Sequence, residues 1–432
     1  MTANPALQRL EGLSQRGMKL GLAAIDALCE RIGRPERSIP SILVAGTNGK
    51  GSMAATLSAI AKACGLRAGL YTSPHLIHVT ERIRVEEEDV TGPELDRALE
   101  RVFAAADAVP PVAATYFEVL TAAAFLVFFE RRLDLAILEV GLGGRFDATN
   151  VAPAVLSAVT SIGLDHTEEL GPTLSSIARE KAGVFRAGRP AIARAAGEAL
   201  EVLRAEARQR GSAWHDAGTE LSVRVLQVGI EGTRFDVTTP RRELSLATPL
   251  PGAHQAWNAA LAIRAAELLP EPALPLTPET IGAGIATVRW PGRLERFDVG
   301  GRPVLLDGCH NAEGAAALAG FLADAGLDGR CRLVFGAMAD KDIEGIAETL
   351  FPAVRSVTLV AASAPRAASA QELARRVPPA PGGVRAGGDV KEALETLLAG
   401  SDGAPIIVAG SLYLVGEARA WLLAGQPPEG RT

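Results

Sequence analysis

Residues Gly46-Thr47-Asn48-Gly49-Lys50-Gly51-Ser52 stand between the apolar run Ile42-Leu43-Val44-Ala45 and an Ala/Leu/Ile-rich stretch with helical spacing. A buried strand that turns through glycines into a helix commits this part of the chain to an α/β sheet, with the turn at a strand's carboxyl end. The glycines let successive N–H groups point inward and the helix adds its positive end. Lys50 can then reach outer phosphates, and Ser52 can place a hydroxyl on Mg²⁺. The spacing is unusual, because only two residues separate Gly46 from Gly49 and Gly51 stands between Lys50 and Ser52. The plainer alternative is a glycine-rich turn that binds nothing.

The chain has 432 residues, too many for one ordinary core, so two or three domains are expected. A net charge of −6 without a basic block argues against a nucleic-acid surface, so an anionic ligand must be held by local positive features. The most apolar stretch, Val119 to Phe129, is too short to span a bilayer and the N-terminus has no apolar signal core. A soluble cytoplasmic protein without membrane partners, acting as a monomer, is expected. Cys29, Cys64, Cys309 and Cys331 lack metal-ligand spacing and read as reduced thiols. Only six basic residues are lysine, and Lys50, Lys181 and Lys341 all fall within the polar motifs. A chain that otherwise uses arginine keeps lysine where a compact ammonium or a reactive amine is wanted.

Apolar runs at Ile42-Ala45, Ala68-Tyr71, Leu135-Val140 and Val155-Ile162 alternate with helical patterns around Ile25-Ile32, Met53-Cys64, Phe117-Arg131 and Thr173-Val184. Short unalternating strands separated by helices predict a parallel sheet covered on both faces. A β-leaning stretch from 213 to 249 precedes a helix at about 255 to 269, and Val288 to Phe297 reads as a linker. Strands at Val304-Leu306, Arg332-Phe335, Val357-Ala361 and Ile406-Ala409 then restart the alternation. The expected architecture is a parallel-sheet ATPase-type domain over 1–291 and a smaller Rossmann-like α/β domain over 292–432. In the second domain Asp307 and His310, Gly336 with Asp340 and Lys341, Ser363 with Arg366, and Ser411 all follow strand ends, where open parallel sheets bind ligands. Taken singly, each is an ordinary loop polar.

Glu139 ends a strand and is followed by Gly141-Leu142-Gly143-Gly144, a place where a phosphate-loop protein needs a metal-binding acid. Asp165-His166 follows the next strand, and by its chemistry alone His166 is a hydrogen-bonding residue before it is an Mg²⁺ ligand. Cys309-His310 invites a thiol-catalysis reading, but sequence neighbours on a loop rarely face each other. The Gly141-x-Gly143-Gly144 run lacks the third glycine of a dinucleotide fingerprint.

Gly46 to Ser52, Tyr71-Thr72-Ser73-Pro74-His75-Leu76, Thr115-Tyr116-Phe117-Glu118, Glu139 to Gly144, Asp147-Ala148-Thr149-Asn150, Asp165-His166, Glu180 to Gly183, Pro251 to Gln255, Trp290 to Glu295 and Gly410-Ser411-Leu412-Tyr413 occur in one order. Together they resemble folylpolyglutamate synthase/dihydrofolate synthase, a family of the Mur ligase superfamily, over nearly the whole chain. The resemblance implies an ATP-dependent amide ligase. A pteroate or folate carboxylate takes the γ-phosphoryl group of ATP, and L-glutamate displaces phosphate from the acyl phosphate. It also implies that Ser52 and Glu139 hold one Mg²⁺, Glu139 and His166 a second, and that Lys181 is carbamylated.

By the same resemblance Asn258 is an adenine contact, Arg293 reaches the phosphates on domain closure, Asp307 and His310 serve the nucleotide, and Ser411 lies near the glutamate side. Ser73 and His75 join it as substrate-side residues, as does Arg366 by its place after a strand end, and Thr115, Phe117 and Asp147 are the expected pterin pocket. The blander reading makes Phe117 core and Asp147 a turn cap. The Ser-Pro-His and Asp-Ala-Thr-Asn segments look like bifunctional bacterial members, which implies dihydropteroate and reduced folates as acceptors. They weigh against a rival ligase acting on a cell-wall nucleotide. A phosphate-loop ATPase without ligase activity is a further alternative. The family commonly has Ala and Pro where this chain has Cys309 and Ala312.

Overall fold

The computed structural model describes residues 5–14, 21–269 and 274–425. All five residues of Ser41–Ala45 (β1) are buried, as a strand covered on both faces requires. It sits inside an eight-stranded sheet with Ala68–Tyr71 (β2), Ile83–Val85 (β3), Glu88–Asp89 (β4), Leu135–Glu139 (β5), Leu156–Val159 (β6), Pro190–Ala193 (β7) and Ala213–Asp216 (β8). The strand order is β4-β3-β2-β5-β1-β6-β7-β8, parallel except for the β3 and β4 hairpin at one edge.

Side chains of β1 point alternately to two cores. Ile42 and Val44 pack under the helices Lys50–Ala63, Ala253–Glu267 and Pro278–Thr287. Leu43 and Ala45 face Gly92–Asp107 and Tyr116–Glu130. The second of these helices is apolar all round, and its first turn is fixed by a Thr115/Glu118 capping box. No described helix is long and apolar enough to cross a membrane.

The β-leaning stretch divides in two. Ala213–Asp216 joins the main sheet, and Ser222–Gly229 (β9), Gly232–Thr238 (β10) and Glu243–Thr248 (β11) form a separate antiparallel sheet. Phe235 and Val237 of β10 are buried beneath the helix Ala253–Glu267.

The last sheet contains Arg293–Val299 (β12), Arg302–Asp307 (β13), Arg332–Phe335 (β14), Ser356–Leu359 (β15), Val384–Ala386 (β16) and Ile406–Ala409 (β17), in the order β12-β13-β17-β14-β15-β16. Half of the segment expected as a linker is therefore strand. Arg293 to Phe297 pair antiparallel with β13 at the sheet edge, and a bulge between Arg293 and Glu295 breaks the alternation that would mark a strand in the sequence.

Candidate active site

The strand order reverses beside β1, and the phosphate loop, Glu139 and the segment after β6 all emerge there. Val44 pairs with Glu139 on one side and Ala45 with Val159 on the other. This is the topological switch point where open α/β sheets hold ligands. The loop is laced to the neighbouring segment: Thr47 N donates to Ser161 O at 2.9 Å, Asn48 N to Ser161 Oγ at 3.0 Å, and Thr160 Oγ1 to Asn48 O at 2.6 Å. Gly46, at φ +148°, lies so close to Thr160 that a Cβ would stand 1.9 Å from Oγ1. The helix Lys50–Ala63 then presents its first-turn N–H groups.

Lys50 Nζ donates to the carbonyls of Gly46 and Thr47, both at 3.0 Å. Burial lowers its pKa, while the charges of Glu139 and Asp165 act to raise it. Glu139 is buried and its Oε2 accepts the Ser73 N–H at 3.1 Å. Burial raises its pKa, opposed chiefly by Lys50. Lys181 is also buried, with Nζ donating to Gly46 O at 2.8 Å. Burial and then the charge of Lys50 bring its pKa down to about 7. Asn258 lies against the loop as well, its Oδ1 filling the space a Cβ on Gly49 would take, and its Nδ2 donates to Gln255 Oε1 at 3.0 Å.

Among the described residues no three His, Cys, Asp or Glu side chains gather into a metal cluster. A hard divalent cation takes oxygen donors, often one or two carboxylates, and completes its shell with phosphate oxygens and water. Glu139 and the buried Ser52 hydroxyl supply that sort of donor. His166 heads a short helix at φ +51°, with its side chain 43% exposed, 4.0 Å from Asp165 and 3.9 Å from Glu169.

The last sheet, β12 to β17, brings the end of β13 to the same place. Asp307 Oδ2 accepts Leu294 N at 3.1 Å and its Oδ1 accepts Cys309 N at 3.0 Å. Those two bonds fix Leu294, next to Arg293, and Cys309, next to Gly308; the Arg293 guanidinium lies over Gly308 within electrostatic reach of Lys50 and Glu139. His310 Nδ1 is 2.9 Å from Gly308 O and Nε2 is 3.8 Å from Asp165, with burial drawing its pKa down to about 4. The Cys309 thiol is buried and held well above its usual value, so it is no nucleophile. The sequence motifs give no sign of a clasp across the cleft. Asn311 Nδ2 donates to Asn48 Oδ1 and to Asp165 Oδ2, both at 3.1 Å, and Asn48 Nδ2 to Glu313 Oε2 at 2.7 Å.

Two family models match the chain: "Mur ligase middle domain" over residues 44–266 and "Mur ligase, glutamate ligase domain" over 292–412. The chain is 36% identical over 374 residues to the dihydrofolate synthase/folylpolyglutamate synthase of Bacillus subtilis, covering 84% of this chain and 86% of that one. The chain belongs to the folylpolyglutamate synthase/dihydrofolate synthase family of Mur ligases. It spans about half (52%) of a longer relative from Haloferax volcanii, a probable bifunctional folylpolyglutamate synthase/dihydropteroate synthase, at 37% identity and over all of its own length. The Escherichia coli FolC complex with DHPP and ADP superposes with a TM-score of 0.88 at 32% identity, over 98% of both chains. A bifunctional family member with Mn, AMPPNP and L-glutamate bound gives 0.85 at 33% identity, again over 98% of both.

Folylpolyglutamate synthases are ATP-dependent ligases that form carbon–nitrogen bonds, and the fold here is that of the family. The substrate-side residues inferred from the family motif divide by environment. Thr115 caps its helix, exchanging hydrogen bonds with Glu118. Phe117 is only partly buried, 5.8 Å from the Tyr71 ring and against Gly141. Asp147 accepts four hydrogen bonds from its own loop: Gly141 N at 2.9 Å, Leu142 N at 3.0 Å, Thr149 N at 3.0 Å and Thr149 Oγ1 at 2.6 Å. Its carboxylate is thus a turn cap in this structure.

Ser73 offers its N–H to Glu139, and His75 Nδ1 accepts Arg82 Nε at 2.9 Å, its pKa brought down to about 4 by burial and then by Arg82. Arg82, which sequence motifs did not mark, also lies 5.2 Å above the Tyr116 ring. Ser411 is buried and its hydroxyl accepts Tyr413 N at 3.2 Å. Arg366 is a surface residue with its side chain 72% exposed and paired to Asp340.

Proposed function

We propose that this chain joins L-glutamate to the carboxylate of dihydropteroate and to the terminal glutamate of reduced folates, using ATP. The observation that carries the reading is the meeting of Lys50, Glu139 and Lys181 at the switch point with Arg293, His310 and Asn311 of the C-terminal domain. Relatives captured with DHPP and ADP, and with Mn, AMPPNP and L-glutamate, support the same pairing of substrates. A carboxylate is a poor acyl donor. One of its oxygens attacks the γ-phosphorus, ADP leaves, and an acyl phosphate forms. The glutamate nitrogen attacks the acyl carbon, the carbon–oxygen bond to phosphate breaks, and the nitrogen loses a proton to solvent.

The residues have separable tasks. The loop N–H groups and Lys50 hold the phosphates, and Arg293 adds a planar cation from the other domain as charge develops. Asn258, beside Gly49, is suited to an adenine edge because an amide both donates and accepts. Ser52, Glu139 and His166 would hold Mg²⁺, in two sites that share Glu139, and the cation would neutralise phosphate charge. Lys181 is suited to carbamylation, since an amine with a pKa of about 7 is substantially neutral at physiological pH. Its nitrogen bonds to the carbon of CO₂ and releases a proton, giving an anion beside Lys50.

Incubation with Mg-ATP, L-glutamate and either dihydropteroate or tetrahydrofolate should yield products heavier by one glutamyl unit from each acceptor. Lys50→Ala and Glu139→Ala should yield none while keeping the wild-type circular dichroism. ATP turnover indifferent to both acceptors would defeat the proposal, and product from tetrahydrofolate alone would restrict it to chain extension.

A further inference from the structure

Gly51 is the residue that sets this phosphate loop apart, because it separates Lys50 from Ser52. A glycine inside a helix is normally unfavourable. Gly51 lies in the first turn of Lys50–Ala63 and is not among the glycines with positive φ, so backbone freedom does not explain it. Space does. A Cβ there would stand 2.4 Å from Cζ2, 2.8 Å from Cε2 and 3.0 Å from Nε1 of Trp290. The indole rests on the backbone between the lysine and the serine of the loop.

Trp290 is held from several sides. The helix Pro278–Thr287 that leads to it packs on Lys50–Ala63 so closely that a Cβ on Gly284 would be 2.6 Å from Ile60 Cα. The Arg84 guanidinium lies 5.4 Å from the ring centroid, with Arg84 itself fixed by Asp89 at 2.8 Å. Soon after Trp290 the chain passes into β12 of the last sheet, where Gly292 N donates to Glu295 Oε2 at 3.0 Å and Gly308 N to Gly292 O at 2.8 Å. The indole is therefore the point where the connection to the second domain bears on the nucleotide loop.

We propose that Trp290 is a positioning residue that couples the orientation of the C-terminal domain to Lys50 and Ser52, and that Gly51 is glycine in order to seat it. This rests on the ligase reading for its effect on turnover, but the steric part stands on nucleotide binding alone. Interdomain rotation moves the chain that follows Trp290, and through the indole it moves the two side chains that flank Gly51. Misplacement by about 1 Å at such a site costs about a hundredfold in rate.

The test is a size exchange. Gly51→Ala should weaken Mg-ADP binding by about tenfold or more, on the scale of one misplaced contact. Adding Trp290→Ala should restore most of that affinity, since the methyl then has room. An equal or greater loss in the double variant would mean that Gly51 serves phosphate approach instead, and would overturn the steric claim. If Gly51→Ala fails to fold, Trp290→Ala must restore folding in its background, and failure to do so would overturn the steric claim equally. Trp290→Ala alone should leave Mg-ADP affinity within about twofold while lowering kcat about a hundredfold, with Trp290→Phe recovering much of it. Wild-type kcat in Trp290→Ala would overturn the coupling.

Discussion

Lys341 Nζ lies 2.8 Å from Asp165 Oδ1, an ion pair between the C-terminal domain and the segment that follows β6. The side chains are only 16% and 12% exposed, so screening by water is weak. Lys341 holds the Asp165 carboxyl well below the usual carboxylate range against the opposing effect of burial, and Asn311 occupies its other oxygen. Lys341→Met and Asp165→Asn should each lower kcat for ligation by about tenfold or more, as expected for about 1.5–3 kcal/mol in a charge-assisted bond. The two effects should be strongly non-additive in a double-mutant cycle. Additive losses would mean that the pair does not act as one contact during turnover.

Lys181 makes a pH prediction whose sign follows from its pKa of about 7, lowered by burial from 10.5. Between those values the unfolded chain binds a proton that the folded one does not, so stability rises with pH across that window. The destabilisation is fully present below about pH 7, where both states are protonated. In CO₂-free buffer the thermal midpoint of wild type should therefore rise relative to Lys181→Met as pH increases above 7, a difference read by parallel melting curves. With bicarbonate present, wild type should gain a mass of one CO₂ by native mass spectrometry. Lys181→Ala should be inactive and partly rescued by a short carboxylic acid. Full activity in Lys181→Ala would remove the carbamate from the mechanism.

How far the sequence could be read follows the range of the interactions. The corner at Gly46 to Ser52 is legible because every cause of it, an apolar strand, glycines and a helix start, lies within a few residues. Glu139 is legible for the same reason, at the end of Leu135–Glu139. The β3 and β4 hairpin is not, since it turns through Glu86 and Glu87 at φ +53° and +74°, where a turn-seeking reading expects Gly or Asn. Asp165 and Lys341 are 176 residues apart, and no local pattern signals that they meet. Asp147 is a different case, since sequence leaves it between a pterin contact and a turn cap, and its four donors all come from its own loop.

That environment decides what Asp147→Ala should do. Without the carboxylate, the N–H groups of Gly141, Leu142 and Thr149 lose their acceptor, each at about 1–3 kcal/mol if left buried and unmet. The expected outcome is a lower melting temperature together with similar losses of dihydropteroate ligation and folate extension. Asp147→Asn should recover part of both, because an amide oxygen still accepts. A selective loss of dihydropteroate ligation at unchanged melting temperature would instead return Asp147 to the pterin pocket.

Arg293 is placed to act late. It opens β12 at the domain boundary, and the bonds from Leu294 and Cys309 to Asp307 fix the chain around it. The guanidinium has reach to Lys50 and Glu139 from the far side of the cleft, where negative charge spreads over the transferring phosphoryl group. An interaction that strengthens as that charge develops lowers the barrier without tightening the ground state. Arg293→Ala should therefore depress kcat by about a hundredfold or more while Mg-ATP affinity changes little. Arg293→Lys should recover only a small part, because a point charge lacks the planar fork that meets two phosphoryl oxygens at once. Asp307→Asn should weaken turnover in the same direction but less, since it loosens the strand that carries Arg293 and leaves the guanidinium in place. Should Arg293→Ala instead lose ATP affinity with kcat unchanged, its contact belongs to the ground state and the closing motion must be completed by other residues.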